Sequence, residues 1–146
     1  GVAPLFFLAS SLRAKMADPS TCKLFTGGRS KHDILCIDDF SKLGITISIA
    51  TDDGSLGRKG LVTDLLEAAI KENPPDIICA CGPFAMLGSV ARIAERYSVP
   101  CQVSIETIMA CGIGACLGCA VEGKNDKYLH ACVDGPVFDA SALKIW

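Results

Sequence analysis

Apolar residues return every three or four positions at Leu5, Leu8, Ala9 and Leu12, which predicts a helix over positions 4–17. Pro4 suits the first turn of such a helix, where a missing N–H is no loss, and Asp18-Pro19-Ser20 closes it. A short strand is expected over 21–25, then the turn Thr26-Gly27-Gly28-Arg29 and a second, shorter helix over 32–40. Positions 45–50 are rich in β-branched and apolar residues and read as a buried strand. A polar, Gly-rich turn from Thr51 to Gly57 follows. Leu61, Leu65, Leu66, Ala69 and Ile70 then share one face of a helix over 61–71, which Pro74-Pro75 stops. A third strand over 76–80 runs through Cys81-Gly82-Pro83 into a helix over 84–97. Met86, Leu87, Val90, Ile93, Ala94 and Tyr97 form its apolar face. Val99-Pro100 separates that helix from a fourth strand over 101–105.

Strands alternating with helices imply βαβ units, hence an α/β fold with a mainly parallel sheet. Past Ile105 the long periodic runs give way to short segments, glycines and cysteines. This change places a boundary between an α/β domain over 1–106 and a small C-terminal module over 107–146. Within the module, 120–122 and 128–131 are expected to pair as a hairpin across Gly123-Lys124-Asn125-Asp126. There is no internal repeat and no low-complexity linker.

Composition narrows the class. The chain has 146 residues, 50% hydrophobic and 21% charged, which is globular rather than disordered, with a net charge of −2. No basic block interleaves with aromatics, which argues against nucleic acid as a partner. The early apolar run at 2–9 is too short to cross a bilayer, contains Pro4 and lacks a basic flank, so neither a membrane span nor a secretory leader is expected. Nine cysteines is an odd and high count. It argues against a closed disulfide framework and for metal in a reducing compartment, hence a cytoplasmic protein.

Three cysteines, Cys111, Cys116 and Cys119, follow C-x4-C-x2-C spacing in a Gly-rich loop, and Cys132 comes after a short polar segment. That is the ligand pattern of a plant-type [2Fe–2S] cluster. A thiolate-ligated cluster is negatively charged, so backbone must wrap it and aim N–H groups at sulfur. Gly112, Gly114 and Gly118 permit that. Structural zinc is the alternative, but zinc sites show pairs of short knuckles and only one short pair exists here. A Rieske centre would need two histidine ligands, and the only histidines are His32 and His130.

Ligands of open parallel sheets bind beyond the carboxyl ends of the strands. Three such ends are Gly27-Gly28-Arg29, Asp52-Asp53-Gly54 and Cys81-Gly82-Pro83. Glycines let backbone approach phosphate, and Arg29 suits phosphate or carboxylate, although each segment also reads as an ordinary βα turn. Cys22, Cys36, Cys79 and Cys101 fall on predicted elements and read as small core hydrophobes. Cys81 lies at a strand end beside a helix start, a position for cofactor contact or for packing.

These residues carry a resemblance. Gly1-Val-Ala-Pro4-Leu5, Cys81-Gly82-Pro83 with Met86, and the cysteine loop resemble the ferredoxin–NADP reductase superfamily. Ser104-Ile-Glu106-Thr-Ile-Met109-Ala-Cys111-Gly-Ile-Gly-Ala-Cys116, closing with Cys132-Val-Asp-Gly-Pro-Val-Phe138, is similar to the electron-transfer subunits of class 1B dihydroorotate dehydrogenases. The resemblance covers nearly the whole chain. It implies a Rossmann-like NAD-binding domain followed by a [2Fe–2S] module, with an FAD-binding barrel ahead of both in the family. It also implies electron transfer between NAD(H), FAD, the cluster and an FMN-containing catalytic subunit that oxidises dihydroorotate in pyrimidine synthesis. Nicotinamide moves two electrons as hydride and the cluster takes one, so a flavin must split the pair.

By the same resemblance, Cys111, Cys116, Cys119 and Cys132 are the cluster ligands. Gly1 and Pro4 belong to a pyrophosphate loop, Gly27, Gly28 and Arg29 flank the dinucleotide, and Gly82 and Pro83 lie near nicotinamide. The flavin barrel and the strand that precedes Gly1 in the family are absent from the sequence, which reads as a C-terminal fragment. A sheet without that central strand would leave two apolar edges. Asp52 and Asp53 suit the ribose hydroxyl of NAD, while Arg29 suits the 2′-phosphate of NADP. Related NADH-linked reductase subunits, of sulfide dehydrogenase, ferredoxin:NADP transhydrogenase or hydrogenase type, compete with this reading. Some of them carry Asp at the first ligand position, where this chain has Cys111. A non-enzymatic zinc module and a redox sensor are the other classes.

Overall fold

The computed structural model describes residues 1–15 and 18–144. They form two compact units, Val2–Asn73 and a second made of Gly1 with the chain from Pro74 onward. The predicted end of the first helix, at position 17, lies outside the described residues.

In the unit Val2–Asn73, β1 (Lys23–Gly28), β2 (Thr46–Thr51) and β3 (Arg58–Lys59) form a parallel sheet in the order β1-β2-β3. The two-residue β3, directly after the expected polar turn, has no hydrophobic pattern to announce it. Helix α1 (Val2–Arg13) is apolar around most of its circumference, yet only Ala9 is fully buried. Its Val2, Leu5 and Phe6, together with Leu24 and Ile47 of the sheet, pack against a core of Ala9, Phe40 and Ile45. The Phe6 and Phe40 rings meet edge to face with centroids 5.2 Å apart, an arrangement worth about 1 kcal/mol beyond its buried area. Leu24 and Ile47 are register partners, so one face of the sheet meets α1. Side chains alternate along a strand, so Gly27 belongs to the other face. There Val62 of α3 (Val62–Glu72) presses so close that a Cβ on Gly27 would lie 2.8 Å from it.

The helix expected over 32–40 is two pieces. A 3-10 turn, Lys31–Asp33, is closed by a capping box between Ser30 and Asp33, and α2 runs Ile37–Lys42. Cys36 between them takes φ 62, a left-handed conformation that no continuous helix accommodates. Apolar spacing does not report that break.

In the second unit β4 (Ile78–Cys81) pairs in parallel with β5 (Cys101–Ser104). Helix α4 (Phe84–Arg96) connects them and buries Leu87, Val90, Ala91, Ile93 and Ala94 along one stripe. Leu87 is 0% exposed, which stabilises the unit by roughly 2–3 kcal/mol. Along β5, Cys101 and Val103 face inward and Gln102 outward. A strand the pattern did not announce, β8 (Val137–Asp139), adds to β5 in antiparallel register, Val103 opposite Phe138. The expected hairpin forms from β6 (Ala120–Glu122) and β7 (Tyr128–His130). The fold is thus α/β with parallel βαβ pairing. Its parallel strands are divided over two sheets, in which β1 and β4 each have one partner among the described residues. No helix among those residues is long and apolar enough to cross a membrane.

Candidate metal centre

The loop from β5 to β6 carries three of the four cysteines, and the turn after β7 carries the fourth. Gly112 and Gly114 sit at φ 73 and 76, as the wrapping argument requires. Gly118 does not; the third left-handed residue is Leu117, at φ 60. The kink thus falls one residue before its expected place, on a side chain that is 62% exposed.

The turns aim donors at sulfur. The Gly114 N–H donates to Cys132 Sγ at 3.3 Å and the Cys116 N–H to Cys111 Sγ at 3.4 Å. The Cys111 thiol is lowered to about 6, chiefly by the Ile113 N–H, then by the Cys116 N–H and side chain. Cys132 is moved up, first by its hydrogen bond with the Cys119 thiol and then by desolvation, against the opposing Gly114 N–H. Cys119 is buried, and its sulfur lies 3.3 Å from that of Cys132. The ladder of the hairpin continues past β6 and β7 through the Ala131 N–H to Cys119 carbonyl bond. The turn at Cys132 is tied on both sides. Val133 and Asp134 donate to the His130 carbonyl, and the Asp134 carboxylate accepts from the His130 N–H at 2.7 Å. His130 itself leans toward Asp134, 3.8 Å away, rather than toward the sulfurs.

The donors therefore come as two pairs, Cys111 with Cys116 and Cys119 with Cys132. Among the described residues no three His, Cys, Asp or Glu side chains converge on one point. Each iron of a [2Fe–2S] cluster takes two protein thiolates, which two pairs of cysteines would supply. Backbone N–H groups aimed at two of the sulfurs suit a negatively charged cluster. The residues present fit the two-iron group.

The strand-end residues divide between the units. Gly1 packs on the Cys81–Gly82 backbone, where a Cβ would lie 2.6 Å from the Cys81 carbonyl oxygen. Cys81 is buried at the end of β4, and Pro83 is the N-cap of α4. Pro4 lies in the first turn of α1, and Gly27 and Gly28 are the last residues of β1 rather than turn residues, with Arg29 next. Their close neighbours are Val62 and Asp33, so packing alone already calls for glycine at both. At the end of β2 the Asp53 carboxylate accepts from the Ser55 N–H at 2.8 Å, and its pKa is lowered chiefly by its hydrogen bonds to Ser55. Composition gave no sign of Thr51. It is 0% exposed, its hydroxyl donates to the Leu56 carbonyl at 2.8 Å and accepts from the Leu56 N–H, and it shapes this loop.

An α/β unit with parallel βαβ pairing, followed by a module of paired cysteines, defines a redox protein of the nicotinamide-linked class. The chain belongs to the oxidoreductase NAD-binding domain family, whose model matches residues 1–92. Residues 106–144 match the iron-sulfur cluster binding domain of dihydroorotate dehydrogenase B. The chain is 43% identical over 146 residues to the electron transfer subunit of dihydroorotate dehydrogenase B (NAD(+)) of Caldanaerobacter subterraneus subsp. tengcongensis, covering 98% of this chain and 55% of that protein. It is 42% identical over 144 residues to the probable counterpart of Methanopyrus kandleri, covering 99% of this chain and 52% of the other. The solved structure of an NADH-dependent reduced ferredoxin-NADP oxidoreductase superposes with a TM-score of 0.83 at 31% identity, over 99% of this chain and 50% of that one. The chain spans about half the length of the curated relatives it matches.

Proposed function

We propose that this chain is the NAD-binding and cluster-binding part of a dihydroorotate dehydrogenase B electron transfer subunit. It would pass electrons between NAD(H), FAD and a [2Fe–2S] cluster, to or from an FMN-containing catalytic subunit in pyrimidine synthesis. The observation that carries this reading is the paired cysteine loop, within a segment that matches the cluster domain of that enzyme. Cys111 and Cys116 would hold one iron, and Cys119 and Cys132 the other. When bound, the cluster takes up and passes on single electrons. The Gly114 and Cys116 N–H groups offset thiolate charge, and burial of Cys119 keeps water from its side of the site. Ile108, Ile113, Leu117 and Val133 are all more than half exposed and give the loop an apolar rim for a protein partner.

The functional division falls at residues 1–106 and 107–146, as the two family matches support. Gly1, Pro4, Gly27, Gly28, Arg29, Cys81, Gly82 and Pro83 are proposed for the dinucleotide. NAD is the assignment, in line with the relatives' names. A cytoplasmic setting is proposed on the odd count of nine cysteines, which argues for metal in a reducing compartment rather than a disulfide framework.

The test is iron and acid-labile sulfide analysis with a visible spectrum on anaerobically purified protein. It is followed by NADH-dependent reduction of a dihydroorotate dehydrogenase catalytic subunit in the assembled complex. About two irons and two sulfides per chain are expected, with a red-brown colour that dithionite bleaches. A colourless protein holding zinc and no iron would overturn the reading. A second reading, a subunit of a ferredoxin-NADP oxidoreductase, rests on the 0.83 superposition; electron delivery to ferredoxin rather than to the dihydroorotate enzyme would select it.

A further inference from the structure

The four cysteines are not held alike. Cys119 and Cys132 face each other directly, Sγ to Sγ at 3.3 Å, while the Cys111 sulfur accepts from the backbone N–H of Cys116 at 3.4 Å and also meets the Cys116 side chain. A disulfide needs its sulfurs about 2.05 Å apart, so the first pair has little over an ångström to close. Both of its members sit on backbone held by the chain's own hydrogen bonds. Cys119 is tied to Ala131 across the end of the hairpin, and Cys132 lies in the turn closed by His130, Val133 and Asp134. Cys111 and Cys116 lie instead in the loop that carries Gly112 and Gly114 in left-handed conformations, with no strand pairing to hold it.

We propose that Cys119 and Cys132 form a thiol–disulfide switch, which closes when the cluster is lost and blocks its rebuilding until a dithiol reopens it. The co-reactant is a low-molecular-weight disulfide of the glutathione class. The Cys132 thiolate, half-buried and the more accessible of the pair, attacks one sulfur of that disulfide. This gives a mixed disulfide and releases one thiol. The neighbouring buried Cys119 thiolate then attacks the Cys132 sulfur and releases the second thiol. The chain loses two electrons and two protons, and the small disulfide gains them as two thiols. An iron then has neither of its two ligands on that side.

The inference rests on the cluster reading, and the two fail separately. Iron and sulfide analysis of the protein as purified tests the cluster. Disulfide mapping after anaerobic chelation, incubation with oxidised glutathione and alkylation tests the switch. The expected product is a Cys119–Cys132 cross-linked peptide pair, two hydrogens lighter than the free peptides, with Cys111 and Cys116 alkylated. In Cys119→Ser the same treatment should leave Cys132 glutathionylated. Iron uptake by the cross-linked protein should be lost and should return with dithiothreitol. Free thiols at both positions, a Cys111–Cys116 bridge, or a random mixture of pairings would overturn the proposal, as would iron uptake by the cross-linked form.

Discussion

Three glycines in the cysteine loop offer a graded test of how the backbone holds the proposed cluster. At Gly112, φ is 73 and an added Cβ would meet nothing within 4 Å, so Ala there meets only the left-handed backbone penalty. That penalty is roughly 1–2 kcal/mol. At Gly114, φ is 76 and the Cβ would also lie 3.1 Å from Val133 Cγ2. Crowding of that kind adds about 1 kcal/mol. At Gly118, φ is not left-handed and the nearest atom, Cys116 Sγ, is at an ordinary 3.5 Å. Ala at that position should therefore be near neutral. The cluster-free loop can relax and the cluster-bound loop cannot, so these costs fall on retention. Chelator-driven bleaching of the visible spectrum should be unchanged for Gly118→Ala and roughly 5–30-fold faster for Gly112→Ala. For Gly114→Ala it should be roughly 30–150-fold faster. Adding Val133→Ala to Gly114→Ala should bring the rate back to that of Gly112→Ala. Equal rates for all three single variants, or no rescue through Val133, would refute the reasoning.

Leu87→Ala opens a cavity at a fully buried site on α4. It should lower stability by about 2–5 kcal/mol in urea unfolding. Thr51→Val strips the buried hydroxyl that serves both the carbonyl and the N–H of Leu56; a loss of about 1–3 kcal/mol in the same assay is expected. Cys101 is pushed up to about 11, first by burial and then by the charges of Cys79 and Asp139. Its folded form keeps the proton that the unfolded chain loses from about pH 9, so its contribution is full below that pH and falls away toward pH 11. The loss is about 1.4 kcal/mol at pH 10. Urea unfolding at pH 8 and pH 10 should show that extra decline in the parent and not in Cys101→Ala.

What was legible in the sequence is what local pattern controls. Apolar spacing marked α3 and α4 because a helix that buries one face must repeat every three to four residues, and Leu66, Ile70, Leu87 and Ile93 are indeed buried. The spacing of Cys111, Cys116, Cys119 and Cys132 announced a cluster-type site, since ligand order in a tight loop is a property of the chain itself. Positions 120–122 and 128–131 read as a hairpin for the same reason: the connection between the paired strands is five residues long and local. The tertiary structure decided the rest. Strands β3 and β8 are short and exist because β2 and β5 offer them open edges, which no window of sequence reveals. Cys36 divides the expected helix by a left-handed backbone that apolar spacing is blind to. Gly27 is consumed by the close approach of Val62, distant in sequence, and Gly28 by that of Asp33 in the 3-10 turn that follows the strand. The pairing of four equivalent cysteines into two couples is likewise a three-dimensional fact. Spacing fixes which thiols are available, while the hairpin and the turn at Cys132 fix which two sulfurs meet.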